Sequence, residues 1–286
     1  MLLIRKYLIL YNFIKVSINM KQYTLITGAT GGLGNAFCYE LAKKNSPLLL
    51  TGTKQEKLNI LVQELRTAYA DLDIITFPCD LSNEISRKNF FEFINSNNIE
   101  INMLINNAGY ITEGAIINST PENLITCIRV NCEGVIDLTK FILDRKKENS
   151  NLNIITISSL AGDYPMPYMA IYSATKAFET NFMTSLRNEY KNKNVNVLVV
   201  KPGAIPTSQT MKDAIKAQGL KGKLSSVNPT VIAQNSIKKS WANKKTYIPG
   251  FFNKFTSFVS KFVSPNFQAK IIAKMWKKSQ QKRHLN

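Results

Sequence analysis

Histidine is all but missing from this 286-residue chain: the single one, His284, stands three residues from the end. With no imidazole placed for it, a Ser-His-Asp triad, a Cys-His pair and a histidine-ligated metal site are all excluded. Cysteine is equally uninformative as a scaffold. Cys38, Cys79, Cys127 and Cys132 show no CxxC spacing, so neither a disulfide framework nor a four-ligand zinc site is indicated, and a reducing cytoplasm is the expected compartment. Acidic residues stop at Asp213, whereas fourteen lysines and Arg283 follow it. Those fifteen charges leave only three of the formal net charge of +18 to everything before them. Such asymmetry implies an anionic partner for the C-terminal part: membrane headgroups, an acidic carrier protein or nucleic acid. Nucleic acid is disfavoured, because no reading motif accompanies the lysines.

A long uninterrupted apolar run is lacking too. Residues 1–20 are apolar but broken by Arg5, Lys6, Asn12 and Lys15. That is too charged for a span of about 20 apolar residues and shows no small-residue cleavage site. Residues 1–19 read either as an extension upstream of a start at Met20 or as an interfacial amphipathic anchor.

What the chain does have is 44% apolar residues, enough for a substantial core. Short β-branched or aliphatic runs alternate with helical patterns, which predicts an α/β fold: a Rossmann-type, doubly wound parallel sheet with helices on both faces. Strands are expected at 23–27, 48–51, 74–77, 103–106, 153–158 and 195–200, with a seventh near 247–248. Helix starts are marked by Ser82 and Asn83, by Thr120-Pro121 and by Asn228-Pro229. One domain is expected over 20–250, followed by a basic amphipathic segment over 251–286. Within the domain, 202–223 reads as irregular, a loop placed to cover a substrate. In the tail, Phe251, Phe252, Phe255, Phe258 and Phe262 alternate with lysines, and packing of this stripe on the domain is favoured over insertion into a membrane surface.

Directly after the first strand stands TGATGGLG, residues 27–34, leading into a helix. Gly28 permits the tight turn, Gly32 lets backbone approach a pyrophosphate, and Gly34 lets helix and strand pack closely. The helix N-terminus offers free N–H groups to the anion. Thr30, Gly31 and Leu33 complete the expected phosphate cradle. At the end of the second strand, where an acidic residue would hold the ribose of NAD, the sequence has Thr53 and Lys54 and no acid before Glu56. NADP(H) is therefore favoured over NAD(H). Asp80 and Leu81, after the third strand, are placed to border the adenine, and Asp80 reads equally well as a turn residue.

In IYSATKAF, Tyr172 and Lys176 are four residues apart, so their side chains leave one helix face in adjacent turns. A phenol titrates near pH 10 in water, and a nearby ammonium lowers that value, bringing Tyr172 into range as a proton donor or acceptor. Ser159, thirteen residues earlier, falls at the C-terminal end of the fifth strand, the edge where open α/β sheets bind ligands. Ser158 is its competitor.

These motifs, with INNAG at 105–109, VNCEG around Asn131 and KPGAIPT at 201–207, appear in family order and resemble the short-chain dehydrogenase/reductase superfamily over residues 21–207. The stretch SSLAGDYPMPYMAIYSATK is similar to the branch of ketoacyl and hydroxysteroid reductases. The resemblance implies that Asn107, Ala108 and Gly109 line the cofactor floor and that Asn131 supports a water in a proton relay to Lys176. It further implies that Lys176 holds the nicotinamide ribose, and that Pro202, Gly203, Ile205 and Thr207 border the nicotinamide carboxamide. Hydride transfer between nicotinamide and a carbonyl or alcohol is the implied activity, in a homodimer or homotetramer. Tyr164, Pro165, Met166, Pro167, Tyr168 and Met169 suggest an apolar or acyl ketone. The rival reading keeps the fold as a catalytically silent nucleotide sensor or scaffold. Peripheral membrane contact through the basic tail is the expected departure from a purely cytoplasmic location.

Overall fold

A computed structural model describes residues 21–284, with side chains through Lys278. The expected extension over 1–19 lies outside the described residues. Seven strands run β1 (Gln22–Thr27), β2 (Leu48–Gly52), β3 (Ile74–Pro78), β4 (Glu100–Asn106), β5 (Leu152–Ile157), β6 (Val195–Val200) and β7 (Thr246–Tyr247). All pairings are parallel, in the order β3-β2-β1-β4-β5-β6-β7. Each expected strand is present. β4 begins three residues before its expected start at Met103, and Ser158 lies one residue beyond β5.

Alternation along the strands feeds two separate cores. Ile26, Leu48, Leu50, Ile105, Ile155, Leu198 and Val200 face one side, while Leu25, Leu49, Leu104, Ile154, Val197 and Val199 face the other. On the first side pack α1 (Gly32–Ala42), through Phe37 and Leu41, and α2 (Gln55–Ala68), through Leu58, Leu61 and Leu65. On the second pack α3 (Glu84–Ser96), through Phe90 and Ile94, and α5 (Gly134–Arg145), through Val135, Leu138 and Ile142. The short α4 (Pro121–Ile128) leads into α5 through a π-helical turn at Arg129–Glu133. The twenty-residue α6 (Ala170–Glu189) adds Met183 and Leu186 to the second core.

The anticipated caps form. Asn83 accepts from the Ser86 N–H at 2.9 Å, Thr120 from the Asn123 N–H at 3.3 Å, and Asn228 from the Thr230 N–H at 2.8 Å. The last of these opens α9 (Pro229–Trp241), whose Ile232, Ala233 and Ile237 complete the first core.

Two expectations fail. The segment after β6 is mostly helical rather than irregular, forming α7 (Gln209–Ala217) and α8 (Leu220–Ser225). Ser208 caps α7 by accepting from the Met211 N–H, and only the short stretch joining β6 to Ser208 is open loop. The second failure is in the tail, which forms α10 (Phe251–Ser260) and α11 (Pro265–His284). Its aromatic stripe does not pack on the domain: Phe251, Phe255, Phe258 and Phe262 are exposed.

Truncating Phe90, fully buried and stacked on Phe77 at 5.3 Å, is expected to cost about 3–5 kcal/mol of unfolding free energy as Phe90→Ala. The exposed Ile60→Ala on the neighbouring layer is expected to cost less than about 0.5 kcal/mol. Urea unfolding monitored by circular dichroism compares the two; equal losses would contradict the core assignment.

Candidate active site

At the carboxyl edge of the sheet, where β1 and β4 diverge to opposite sides of the strand order, lies a cleft of about 580 Å³. The loop from β1 to α1 forms its floor. Gly28 holds φ +61°, which a side chain resists, and a Cβ there would meet Ala108. A Cβ on Gly34 would lie 2.2 Å from the Gly28 carbonyl oxygen, and one on Gly32 would lie 2.6 Å from Thr207. Gly28 and Gly34 are thus demanded by close approach of backbone to backbone, and Gly32 by the Thr207 side chain. Gly31, the N-cap of α1, brings no side-chain hydrogen bond to the helix start, so first-turn N–H groups remain free for an anion. Thr51 Oγ1, beside this floor, is buried without a partner among the described residues, a donor and acceptor left for a bound molecule.

β4 is latched to the loop by Asn107. Its Nδ2 donates to the Thr27 and Gly28 carbonyls at 2.9 and 3.1 Å, while Thr27 Oγ1 accepts from the Asn107 and Ala108 N–H groups at 3.0 and 2.9 Å. Thr30, Gly31, Gly32, Leu33, Thr53, Leu81, Ala108, Gly109, Pro202, Gly203, Ile205 and Thr207 all line the same cleft. Asp80 lines it too, with Oδ1 already accepting from the Ser82 N–H and hydroxyl at 2.9 and 2.7 Å, so the turn role is realised. Lys54 is exposed at the N-cap of α2 and is not among the lining residues.

Ser159, Tyr172 and Lys176 meet at the opposite wall. Ser159 Oγ accepts from the Ala161 N–H at 3.0 Å, and it lies near enough to the Tyr172 phenol to lower it. Lys176 Nζ sits 5.8 Å from the centroid of the Tyr172 ring. The competitor, Ser158, also borders the cleft but is buried, donating to the Lys176 carbonyl at 2.8 Å and pairing with Thr180 Oγ1 at 2.9 Å.

Lys176 is itself buried, and its ammonium donates to the Ile157 carbonyl at 2.9 Å and to both carboxylate oxygens of Glu179 at 2.8 and 2.9 Å. This geometry is that of an ionised pair. Burial alone would lower the Lys176 ammonium; Glu179 and Tyr172 outweigh it and hold the ammonium above its ordinary value. Burial pushes the Glu179 carboxyl up to about 7 against the pull of Lys176. The Tyr172 phenol also departs from expectation. Burial raises it, Lys176 and Ser159 only partly oppose this, and the net direction is upward rather than downward. The main reason is burial; the negative charge of Glu179, paired with the ammonium, adds a smaller upward push.

Asn131 occupies the π-helical turn, fully buried behind the cleft wall. Its Oδ1 accepts from the Tyr110 N–H at 2.9 Å, and its Nδ2 donates to the Tyr110 carbonyl at 2.9 Å and to Thr175 Oγ1 at 3.0 Å. Thr175 in turn donates to the Tyr172 carbonyl at 2.8 Å. A Cβ on Gly109 would stand 3.6 Å from Lys176 Nζ and 3.7 Å from Asn131 Oδ1, which brings these two residues to one corner.

Residues 164–169 do not line the main cleft. They wall two flanking hollows of about 590 and 250 Å³ on either side of the start of α6, the second shared with Ile116 and Leu124. Tyr110, Thr175 and Glu179 were not anticipated from sequence. For Glu179 a signal existed: a carboxylate three residues after Lys176 on the same helix face.

Fold and site together define a dinucleotide-type α/β domain whose cleft brings a hydroxyl, a phenol and an ammonium to one wall. The short chain dehydrogenase family matches residues 22–218, and the chain belongs to it. Among similar proteins, human 17-beta-hydroxysteroid dehydrogenase type 3 is 31% identical over 198 residues, covering 67% of this chain and 62% of that protein. The very-long-chain 3-oxoacyl-CoA reductase of Mus musculus is 29% identical over 246 residues, covering 77% and 76%. The chain thus matches somewhat less than two thirds of the length of the human relative. A solved 7beta-hydroxysteroid dehydrogenase shares the fold with a TM-score of 0.75 at 20% identity, over 88% of this chain and 96% of that one. A short-chain dehydrogenase from Sphingobium yanoikuyae in complex with NADPH does so at 0.70 and 23%, over 80% and 88%.

Glu179→Gln keeps an oxygen for Lys176 and removes the charge that holds its proton, so the Lys176 pKa is expected to fall. Lysine side-chain NMR titration, assigned with Lys176→Met, reads this directly; an unmoved resonance would argue that Glu179 does not hold the ammonium. Glu179→Ala, which strands a buried ammonium, is expected to lose about 3–5 kcal/mol of stability.

Proposed function

We propose that the protein is an NADP(H)-preferring oxidoreductase that interconverts a carbonyl and an alcohol on an apolar or acyl substrate. The observation that carries this reading is the Tyr172 phenol, grouped with Ser159 and the Lys176 ammonium at the wall of the cleft that begins at the glycine loop. The loop fits a dinucleotide pyrophosphate because its glycines leave room for backbone approach and the start of α1 is open to an anion. A bound nicotinamide cofactor supplies or accepts the hydride.

The chain's own residues handle the proton. Ser159 orients the substrate oxygen by a hydrogen bond, and Tyr172 donates a proton to it during reduction or removes one during oxidation. As the phenol loses its proton, the growing negative charge is stabilised by Lys176, which Glu179 keeps protonated and the Ile157 carbonyl keeps in place. Asn131 acts at a distance, bracing the Tyr110 backbone and, through Thr175, the turn that carries Tyr172.

Preference for NADP(H) is supported by the end of β2, where Thr53 lines the cleft, Lys54 lies next in sequence and no carboxylate stands to repel a 2′-phosphate. An apolar substrate is supported by the Pro165, Met166, Pro167 and Met169 walls beside α6 and by the names of the similar steroid and oxoacyl reductases. The reading includes assembly as a homo-oligomer and contact with the periphery of a membrane. No helix among the described residues is long and apolar enough to cross one.

Consumption of NADPH with a panel of apolar ketones and 3-oxoacyl thioesters, followed by the loss of reduced-nicotinamide absorbance, tests the chemistry. Tyr172→Phe is expected to lower kcat by roughly 10²–10⁴-fold with NADPH affinity kept. A variant with full activity would remove Tyr172 from the chemistry, and a wild type that binds NADPH and turns over nothing would leave the silent-sensor reading standing instead. Lys54→Glu is expected to shift the kcat/KM ratio of NADPH over NADH toward NADH by roughly tenfold; an unchanged ratio would detach Lys54 from cofactor choice.

A further inference from the structure

α10 is inside out. Its polar residues Asn253 and Ser257, one turn apart, are the buried ones. Asn253 Nδ2 donates to the Ser225 and Pro249 carbonyls at 2.9 and 2.7 Å, and the Ser257 hydroxyl donates to Asp163 Oδ2 at 2.6 Å. The opposite face carries Phe251, Phe255 and Phe258, continued by Phe262 in the turn that follows, with Phe251 86% and Phe262 75% exposed. The rings of Phe258 and Phe262 lie 5.1 Å apart, in contact with each other rather than with the domain. A helix that served only to seal the core would have the reverse orientation.

The apolar surface continues beyond α10. On α11, Phe267, Ile271 and Met275 are exposed at four-residue spacing, and on α8, Leu220 and Leu224 are exposed. α8 packs against α10, and Lys221 of α8 reaches within 3.9 Å of Met275 Sδ, so the three helices adjoin. Exposed apolar surface on this scale marks an interaction site.

Charge selects the occupant. Lys221, Lys223, Lys254, Lys261, Lys270, Lys274, Lys277 and Lys278 are interleaved with these apolar residues, and no Asp or Glu follows Asp213. A second copy laid face to face would set lysine against lysine. Aromatic rings flanked by lysines instead suit a bilayer with anionic headgroups: the rings enter the acyl boundary while the flexible ammonium groups reach the phosphates.

We infer that α8, α10 and α11 form a docking face for an anionic bilayer surface, lying in the interfacial plane, and that this face brings the hollows flanking the start of α6 to the lipid. The link is Trp276 of α11, stacked on Tyr168 at 4.1 Å between centroids, a residue that walls one of those hollows. An apolar substrate dissolved in the bilayer would then reach the hollows beside Tyr172 without crossing water. The inference rests on the peripheral-membrane part of the proposed function and not on the chemistry.

Flotation of the full chain with phosphatidylcholine vesicles, with and without phosphatidylglycerol, tests it. The expected result is binding to the anionic vesicles, little to the neutral ones, and release by high salt. The triple change Phe255→Ser, Phe258→Ser and Phe262→Ser is expected to reduce partitioning by roughly 100-fold or more. Lys254→Gln with Lys261→Gln is expected to reduce it by roughly tenfold at low salt. All five residues are exposed, so NADPH-dependent turnover of a water-soluble ketone is expected to persist in both variants. That assay separates failure of docking from failure of the catalytic reading. No flotation, equal flotation on neutral vesicles, salt-sensitive binding to duplex DNA without vesicle binding, or a wild-type dimer that the Phe variant dissociates in sedimentation would each overturn the inference.

Discussion

A positive charge buried at the C-terminal end of β5 organises the catalytic half of the molecule. Taking an ammonium out of water costs several kcal/mol unless good geometry offsets it. Here Lys176 has a backbone carbonyl and both oxygens of a carboxylate, all within 2.9 Å. Those bonds are available only if the first half of α6 lies hard against the end of β5. Ser158 secures that contact by bonding the Lys176 carbonyl, and Gly162 permits it, since a Cβ there would stand 2.7 Å from the Lys176 carbonyl carbon. Tyr172, one turn earlier, has its position dictated by the same packing. The pair therefore does two things at once: it fixes the phenol in space and sets how strongly a cation supports its ionisation.

That second effect is graded rather than maximal. An isolated ammonium beside Tyr172 would draw the phenol down, but Glu179 shares the charge, and with burial the phenol rests above its ordinary value. In the proposed reaction such a phenol would hold its proton until charge develops on a substrate oxygen, when the Lys176 field would stabilise the phenolate being formed. Asn131 and Thr175 keep the turn beneath Tyr172 from relaxing, and the π-helical turn at Arg129–Glu133 aims the Asn131 amide at both Tyr110 and Thr175.

What could be read from sequence was what is local. The glycine loop, the caps at Asn83, Thr120 and Asn228, and the Tyr172–Lys176 spacing each depend on a few consecutive residues whose geometry follows from backbone rules. The parallel sheet followed from the alternation of apolar runs with helices, and its order brought the end of β4 beside the loop as expected. Less legible was whatever depends on how separate elements meet. Glu179 resembles any acid on a helix until the structure shows the face to be buried. Residues 164–169 were assigned to the mouth by sequence position, but the start of α6 divides them between two side hollows. Ser158 and Ser159 could be ranked only by spacing, whereas burial separates their roles at once.

The tail shows why amphipathicity alone does not say which face is inward. Periodicity places Phe251, Phe255 and Phe258 on one side of α10, yet the domain offers that helix a polar seat rather than an apolar one. The seat is the Asp163 carboxylate, ion-paired to Lys201 at the end of β6 and accepting from Ser257. Asp163 closes the short 3₁₀ turn that begins just after Ser159, so α10 is anchored to the segment that carries the catalytic hydroxyl. With the helix held through its polar side, its aromatic side has only solvent or an external surface to meet. The constraint that turns the phenylalanines outward is therefore continuous with the constraint that positions Ser159, and surface and site belong to one connected arrangement.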